Sequence, residues 1–127
     1  MGLTYVAARV RNPAQPERTW EGFFLVDTGA TDCLVPGAHL RAIGMEPQSV
    51  RTYPLPDGSA ACFDITTGAV EFLGELVGAT LRFGTDDSTP ILGLTALESA
   101  GIFFDPHTRE LKRQPPSLKG ARLAMAK

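Results

Sequence analysis

The chain has 127 residues, of which 43% are hydrophobic and 20% are charged, a size and composition that suit one domain with a single core. Its formal net charge of −2 and the lack of any run of Lys or Arg argue against nucleic acid as a partner. No segment approaches the roughly 20 apolar residues that span a bilayer, so we expect no membrane partner either.

Short strands joined by tight turns are predicted along most of the chain, because apolar and polar residues alternate between closely spaced Gly and Pro residues. In chain order, the predicted strands are residues 4–10, 19–26, 33–35, 50–55, 60–67, 77–83 and 102–104, with a last strand around Leu111. Two short helices are predicted at residues 38–43 and 94–100, since Gly44 and Gly101 follow them as C-terminal caps. The composition therefore favours a mostly β fold with one or two short helices.

Three of the turns are marked by their residue types. Residues 12–16 contain two prolines and form the first turn, and residues 86–89 form a polar turn after the strand at residues 77–83. Pro56-Asp57-Gly58-Ser59 lies between two strands, where Pro fixes one backbone dihedral and Gly supplies a positive φ. We therefore expect a hairpin that projects around Asp57 and Gly58.

Two larger features concern the organisation of the chain. Residues 26–45 and 91–102 repeat one scheme, an apolar strand, a glycine loop and a short helix followed by Gly, which indicates a weak internal two-fold repeat. Residues 114–127 are rich in Pro, Lys and small residues and carry no periodic apolar face. We expect one domain over residues 1–113 and a loosely ordered tail over residues 114–127.

Asp27 follows an apolar strand directly and begins an Asp-Thr-Gly tripeptide. Gly29 lets the backbone turn closely around the carboxylate, and Thr28 offers a hydroxyl for a hydrogen bond. The tripeptide alone is weak evidence, because Asp-x-Gly is also ordinary turn chemistry. Asp27 is therefore a candidate catalytic carboxylate that needs further support.

Further features in a fixed order supply that support: an apolar strand before Asp27, Ala30-Thr31 after it, a Pro-Asp-Gly hairpin, Ile91-Leu92-Gly93 and an Asp105-Pro106 turn. In this order the sequence resembles the retropepsin-like aspartic proteases, specifically their small bacterial single-domain members, over residues 3–112. The resemblance implies a closed, mostly antiparallel β barrel, the acid-protease fold that makes up half of a pepsin.

The resemblance also implies a reaction and a partner. Such proteases need two facing aspartates and this chain has one Asp-Thr-Gly, so two copies must form a homodimer in which Asp27 meets its symmetry mate. The pair shares one proton, the ionised carboxylate activates a water, and the protonated one polarises the scissile carbonyl of a polypeptide substrate. We expect an aspartic endopeptidase that requires no cofactor and no metal.

Site residues follow from the same resemblance. Asp27 is expected to be catalytic, supported by the loop residues Thr28, Gly29 and Ala30. The hairpin around Asp57 and Gly58 is expected to close over the substrate as a flap. Ile91 is expected to line the substrate pocket. Asp32 follows the catalytic loop and has two interpretations, an ordinary loop carboxylate or a residue that contacts the substrate.

The sequence departs from the viral pattern at two positions. Thr31 stands where viral enzymes commonly have Asp, and Leu94 stands where they commonly have Arg. Because both members of that ion pair are missing, no buried charge is left without a partner. The departure predicts that either the dimer contact or the support of the catalytic loop is apolar here.

The remaining side chains with reactive chemistry have structural interpretations. Cys33 and Cys62 are the only cysteines and show neither CxxC spacing nor neighbouring ligands, which predicts buried, reduced cysteines in a cytoplasmic protein. Tyr53 is predicted to pack within the core or flap, although its hydroxyl could form a hydrogen bond near the active site.

Two alternative functions remain at this point. The first keeps the fold without the reaction, as a catalytically silent dimeric module that binds peptides or another protein. The second follows from Asp-x-Gly-x-Thr at residues 27–31, which also resembles the first phosphate loop of sugar-kinase and actin-like ATPases. Those enzymes need longer chains and a second phosphate loop, which this sequence lacks.

Overall fold

The computed structural model describes residues 2–114. Within this range, the helices are α1 (Gly37–Ala42) and α2 (Leu94–Ser99). The strands are β1 (Tyr5–Asn12), β2 (Gln15–Val26), β3 (Cys33–Pro36), β4 (Ser49–Pro54), β5 (Ala60–Phe72), β6 (Glu75–Gly84), β7 (Ile91–Leu92), β8 (Ile102–Asp105) and β9 (Glu110–Arg113). The predicted fold class, mostly β with two short helices, is confirmed.

Seven strands form one sheet that closes on itself. Their order is β1-β2-β7-β3-β6-β5-β4, and β1 also pairs with β5, so that six strands make a ring and β4 extends from β5. Most ladders are antiparallel as predicted, but β2–β7 and β3–β6 are parallel. Strand β7 lies between β2 and β3, which are consecutive in the chain, and pairs parallel with β2 and antiparallel with β3. The loop that carries Asp27 therefore passes over the end of β7.

The core lies inside this ring and beneath the two helices. Alternate residues of each strand point inward, as the period of a strand dictates, and they meet Leu40 of α1 and Leu97 of α2. Burying such side chains supplies the main favourable free energy of folding. The largest fully buried side chains are Phe24, Leu40, Leu81, Leu92, Leu97, Val10, Val35 and Val70.

The two largest departures from the predicted strand boundaries lie at the first turn and at the end of β5. The first turn contains only Pro13 and Ala14, because the Asn12 side chain accepts a hydrogen bond from the Ala14 N–H at 2.9 Å and the strand resumes at Gln15. Strand β5 continues to Phe72 instead of ending near residue 67. Gly68 does not interrupt it, since a Cβ there would lie 2.6 Å from Leu81 and the glycine serves close packing.

The end of the described chain forms a separate two-stranded sheet. Strands β8 and β9 pair around a turn at Asp105, which accepts a hydrogen bond from Lys112 at 2.8 Å. Hydrogen bonding to Lys112 lowers the pKa of Asp105. The predicted tail, residues 114–127, lies outside the described residues apart from Gln114, and the domain division stays a prediction. Neither helix within residues 2–114 has the length and apolar character needed to cross a membrane.

Candidate active site

Asp27 lies at the exit of β2, where the structure fixes both its backbone and its side chain. Its N–H donates to the Leu92 carbonyl at 3.1 Å, and its own carbonyl accepts from the Ala30 N–H at 3.1 Å. The Gly29 N–H donates to Asp27 Oδ1 at 2.9 Å. A Cβ on Gly29 would lie 3.2 Å from that oxygen, so glycine permits the close approach. The half-buried carboxylate is thus held in one orientation.

Helix α2 supports the Asp27 loop, defined as residues 27–32. The N–H groups of Leu94 and Thr95 donate to the carbonyls of Ala30 and Thr31 at 2.8 and 3.2 Å, and the Thr95 hydroxyl donates to Thr31 at 2.8 Å. Apolar support of this loop was one of two predicted consequences of Thr31 and Leu94; these hydrogen bonds hold the loop from α2, and the apolar contact stays a prediction. Leu94 is 36% exposed, and its predicted role in a dimer contact stays a prediction.

Gly93 lies directly against the Asp27 loop. A Cβ at this position would meet the Asp32 carbonyl carbon and oxygen at 2.7 Å and the Thr31 oxygen at 2.8 Å. Only a residue without a side chain allows α2 to begin this close to the loop. Two residues before Gly93, Ile91 is half-buried and pairs with Leu25 in the parallel ladder. It directly precedes Leu92, whose carbonyl accepts the Asp27 N–H.

Asp32 is buried and engaged within the chain. Its Oδ2 accepts hydrogen bonds from Arg51 Nη1 at 3.0 Å and from the Tyr53 hydroxyl at 2.5 Å. Arg51 and Tyr53 are two residues apart on β4 and therefore project from the same face of that strand. The structure thus joins the Asp27 loop to the predicted hairpin. Contact between Asp32 and a substrate stays a prediction.

Arg82 of β6 completes this group, which we call the Asp32 cluster (Asp32, Arg51, Tyr53, Phe63 and Arg82). Its guanidinium donates to the backbone carbonyls of Cys33 and Asp32, each at 3.3 Å. The same guanidinium lies 5.2 Å from the Tyr53 ring centre and 5.0 Å from that of Phe63, within cation–π range. The two rings contact edge to face at 5.7 Å.

Burial and charge shift two titrations in the cluster. Burial, followed by the hydrogen bond to Asp32, raises the pKa of Tyr53 to about 12. The hydrogen bond and charge of Asp32 raise the pKa of Arg51. Both side chains are protonated at neutral pH even at their ordinary pKa values, and both donate to the carboxylate. Arg51 and Arg82 were not found from the sequence, and only the alternation of β4 and β6 brings them to Asp32.

The hairpin predicted around Asp57 is present, with its tip at residues 55–59. The Leu55 N–H donates to Ser59 at 2.8 Å, and the Gly58 N–H donates to Leu55 at 3.0 Å. Ser59 donates to Asp57 Oδ1 through both its N–H and its hydroxyl, which lowers the pKa of Asp57. Gly58 has the positive φ of 88° that the turn requires. Contact of Asp57 or Gly58 with a substrate stays a prediction.

The two cysteines occupy different environments. Cys33 is buried and accepts a hydrogen bond from the Gly93 N–H at 3.5 Å, and burial raises the pKa of its thiol. Cys62 is exposed, and the prediction that it is buried is wrong. It lies on the projecting hairpin opposite Thr52, on the face where Val50 and Asp64 are exposed as well. Within residues 2–114, no three His, Cys, Asp or Glu residues cluster as metal ligands do.

A groove of about 1120 Å³ opens beside the exposed Thr28. Its opposite wall consists of α2 and β8, and it contains the partly exposed Leu94 and Phe103. Gln114, the last described residue, also lines it. The groove thus places apolar surface next to the Asp27 loop.

Comparison with solved structures identifies a protein of the same fold. The chain matches the solution structure of the simian foamy virus (mac) protease with a TM-score of 0.53 and 17% sequence identity. The match covers 75% of this chain and 92% of the viral protein. No protein-family model and no curated protein matches the sequence. The chain therefore has a retropepsin-like fold, the fold of aspartic-protease-like proteins.

Proposed function

We propose that this chain is an aspartic endopeptidase that acts as a homodimer. The observation that carries the proposal is the geometry of Asp27, a half-buried carboxylate at a strand exit that accepts the Gly29 N–H at 2.9 Å. A fixed and accessible carboxylate is what acid–base catalysis on a bound substrate requires. The retropepsin-like fold and the hydrogen bonds from α2 to the loop support the same conclusion.

Two copies of Asp27 meet on the two-fold axis of the proposed dimer. Because like charges at short distance do not both ionise, the pair holds one shared proton. The ionised carboxylate takes a proton from a water as that water attacks the peptide carbonyl, and the protonated carboxylate donates its proton to the carbonyl oxygen. The carboxylate that has become ionised then takes a proton from a hydroxyl of the resulting diol, the other carboxylate protonates the amide nitrogen, and the C–N bond breaks. No metal or other cofactor takes part.

The groove beside Thr28 supports a second copy as the partner. Leu94 and Phe103 expose apolar side chains there, next to the loop that needs its symmetry mate. A two-fold interface brings the same surface of both copies together, so these apolar side chains would be buried against the partner. Thr28 and Leu94 then belong to the dimer contact, and Gly29 and Ala30 shape the loop around the paired carboxylates.

The substrate is a polypeptide in the cleft between the paired loops and the hairpins. Ile91, packed beside Leu25 at the end of β2, lines the pocket, and the tip at Asp57 and Gly58 closes over the chain. Closure excludes water and orients the peptide bond. We place this activity in the cytoplasm, consistent with two unpaired cysteines.

A cleavage assay tests the proposal. Profiling a diverse peptide library at pH 4 to 7 should reveal cleavage that a statine-type inhibitor blocks. Asp27→Asn should reduce the rate by at least about a hundredfold, the size of a general acid–base contribution. Asp64→Asn, which removes an exposed carboxylate on β5, is the matched control and should retain wild-type activity.

Protein concentration provides the second arm of the experiment. If the active species is a dimer, the rate per chain should fall on dilution in step with dissociation measured by sedimentation. A dimeric wild-type protein that cleaves no peptide in the library would rule out the endopeptidase. Saturable peptide binding in that case would identify the catalytically silent module instead.

A further inference from the structure

We propose that Asp32 is a positioning residue that fastens the projecting hairpin to the Asp27 loop and thereby sets the affinity for substrate. The hairpin is residues 49–65, called the arm below. The effect on substrate affinity rests on the proposed endopeptidase function. The attachment of the arm to the Asp27 loop concerns the folded chain alone.

Apart from its bonds to Asp32, the first strand of the arm is weakly held. Strand β4 is the edge of the sheet and pairs only with β5 among the described strands. Of its side chains only Tyr53 is even half-buried, and the other five are exposed. An edge strand with so little buried surface opens easily unless specific contacts hold it. The bonds from Arg51 and Tyr53 to Asp32 are contacts of that kind.

The geometry makes Asp32 the fixed end of these bonds. The Asp32 side chain is 6% exposed, whereas that of Arg51 is 49% exposed. Both donors reach the same oxygen, Oδ2, from alternate positions of β4. A bond to a desolvated carboxylate is stronger than one between solvated groups. The arm is therefore tied to a buried anion at the end of the loop that begins with Asp27.

Arg82 holds Asp32 from the other side. It donates to the Asp32 and Cys33 carbonyls, and it contacts the rings of Tyr53 and Phe63 on the two strands of the arm. Arg82 forms no ion pair with the described residues. The Asp32 cluster thus contains two guanidinium groups and one carboxylate. Neutralising Asp32 leaves the two positively charged guanidinium groups close together and removes the negative charge that attracts them.

A tied arm affects binding more than chemistry. When the arm is already held near the loop, it loses less conformational entropy as it closes around a peptide, and the binding free energy is more favourable. Asp32 does not touch Asp27 through any described contact, so removal of the tie leaves the reacting carboxylate in place. The expected signature is a raised KM with kcat nearly unchanged.

Hydrogen exchange and kinetics of Asp32→Asn test the inference together. Amides of residues 49–65 should exchange at least about tenfold faster than in the wild type, because both bonds to the charged Oδ2 are weakened, and the rest of the chain should be unchanged. In the peptide assay, KM should rise about tenfold and kcat should stay within about twofold. Asp64→Asn is the matched control, because it removes the same charge from the arm's outer face and should alter neither quantity.

Two milder variants keep the test informative if Asp32→Asn does not fold. Tyr53→Phe removes one hydroxyl and keeps the ring, and Arg51→Lys keeps the charge while shortening the reach. Both should show faster exchange confined to the arm and a smaller rise in KM. Asp32→Glu, which restores the charge, should recover part of the wild-type KM.

The outcomes separate this inference from the proposed function. If the wild type cleaves nothing, the endopeptidase proposal fails, and arm-specific exchange in Asp32→Asn still supports the tie. Unchanged exchange in the arm, or faster exchange spread over the whole chain, overturns the tie. Faster exchange in the arm with an unchanged KM overturns its link to substrate affinity.

Discussion

At the residue scale, the site depends on a glycine that carries no functional group. Gly93 is the N-cap of α2 and lies against the backbone of Thr31 and Asp32, so that the helix can donate its first N–H groups to the Asp27 loop. The three atoms nearest to a Cβ at this position are all backbone atoms, which cannot rotate out of the way. The position of the catalytic candidate therefore depends on close packing as well as on hydrogen bonds.

Gly93→Ala is expected to destabilise the protein by about 2 kcal/mol and to reduce peptide cleavage strongly, because a Cβ 2.7 Å from the Asp32 carbonyl forces the loop and α2 apart. Urea unfolding and the peptide assay measure the two effects. Gly78→Ala is the control, since a Cβ there meets nothing within 4 Å and should change stability by less than about 1 kcal/mol. Equal stability of the two variants would contradict the packing argument.

The sequence identifies part of the site and misses the rest for a physical reason. Asp27, Thr28 and Gly29 are contiguous, so their local chemistry could be interpreted without knowledge of the fold. Arg51 and Arg82 lie 19 and 50 residues from Asp32 and reach it only through strand register. A shift of one residue in that register would turn both side chains to the opposite face.

At the element scale, the sequence predicted strands where apolar and polar residues alternate. It missed the end of strand β5, where a glycine that allows close packing interrupts the alternation. Strand β5 runs to Phe72 because Gly68 makes room for Leu81 and Met45. The following hairpin turn places Leu73 at a φ of 50°, next to Gly74 at 81°. Leu is rare in that conformation, so residue preferences did not indicate a turn there.

The tie between β4 and the Asp27 loop should give stability a distinctive dependence on alkaline pH. Folding raises the pKa of Tyr53 from its ordinary value of 10 to about 12, so the folded state retains this proton longer than the unfolded chain. The stabilisation is complete below pH 10 and is lost as the pH rises through about 12.

Unfolding free energies at pH 9 and pH 11 measure this effect. The wild type should lose more stability between the two values than Tyr53→Phe, in which the titrating hydroxyl is absent and other titrations are retained. Parallel losses in the two proteins would show that Tyr53 does not contribute in this way. The comparison also reports on the hydroxyl's bond to Asp32 without any peptidase assay.

At the scale of the whole molecule, the closed ring joins distant parts of the chain. Strand β1 has β2 on one side and β5 on the other, and Val10 and Val70 lie opposite each other in the second ladder, both fully buried. The resemblance to retropepsin-like proteases predicted a closed β fold. It did not define the parallel pairing of β2 with β7, because the insertion of β7 between two consecutive strands leaves no local signal.

Val10→Ala is expected to lower the free energy of unfolding by about 2 kcal/mol, because it removes two methyl groups where β1 closes the ring. The unfolding transitions followed by the fluorescence of Trp20, the single tryptophan, and by far-UV circular dichroism should shift by the same amount, because a cooperative ring unfolds in one step. Val50→Ala, at a side chain 62% exposed, should stay within about 0.5 kcal/mol of the wild type. Separate transitions for the two probes would show that the ring opens in parts.

The insertion of β7 between β2 and β3 also determines when the protein can fold during its synthesis. Asp27 directly follows strand β2. One of the two strands that flank β2 in the sheet is Ile91–Leu92, more than half a chain later. Until those residues leave the ribosome, the apolar edge at Leu25 and Val26 has no partner on that side, and contacts so distant in sequence form slowly. A nascent chain that stalls before Ile91 therefore exposes an aggregation-prone edge at the very strand that is to position the carboxylate.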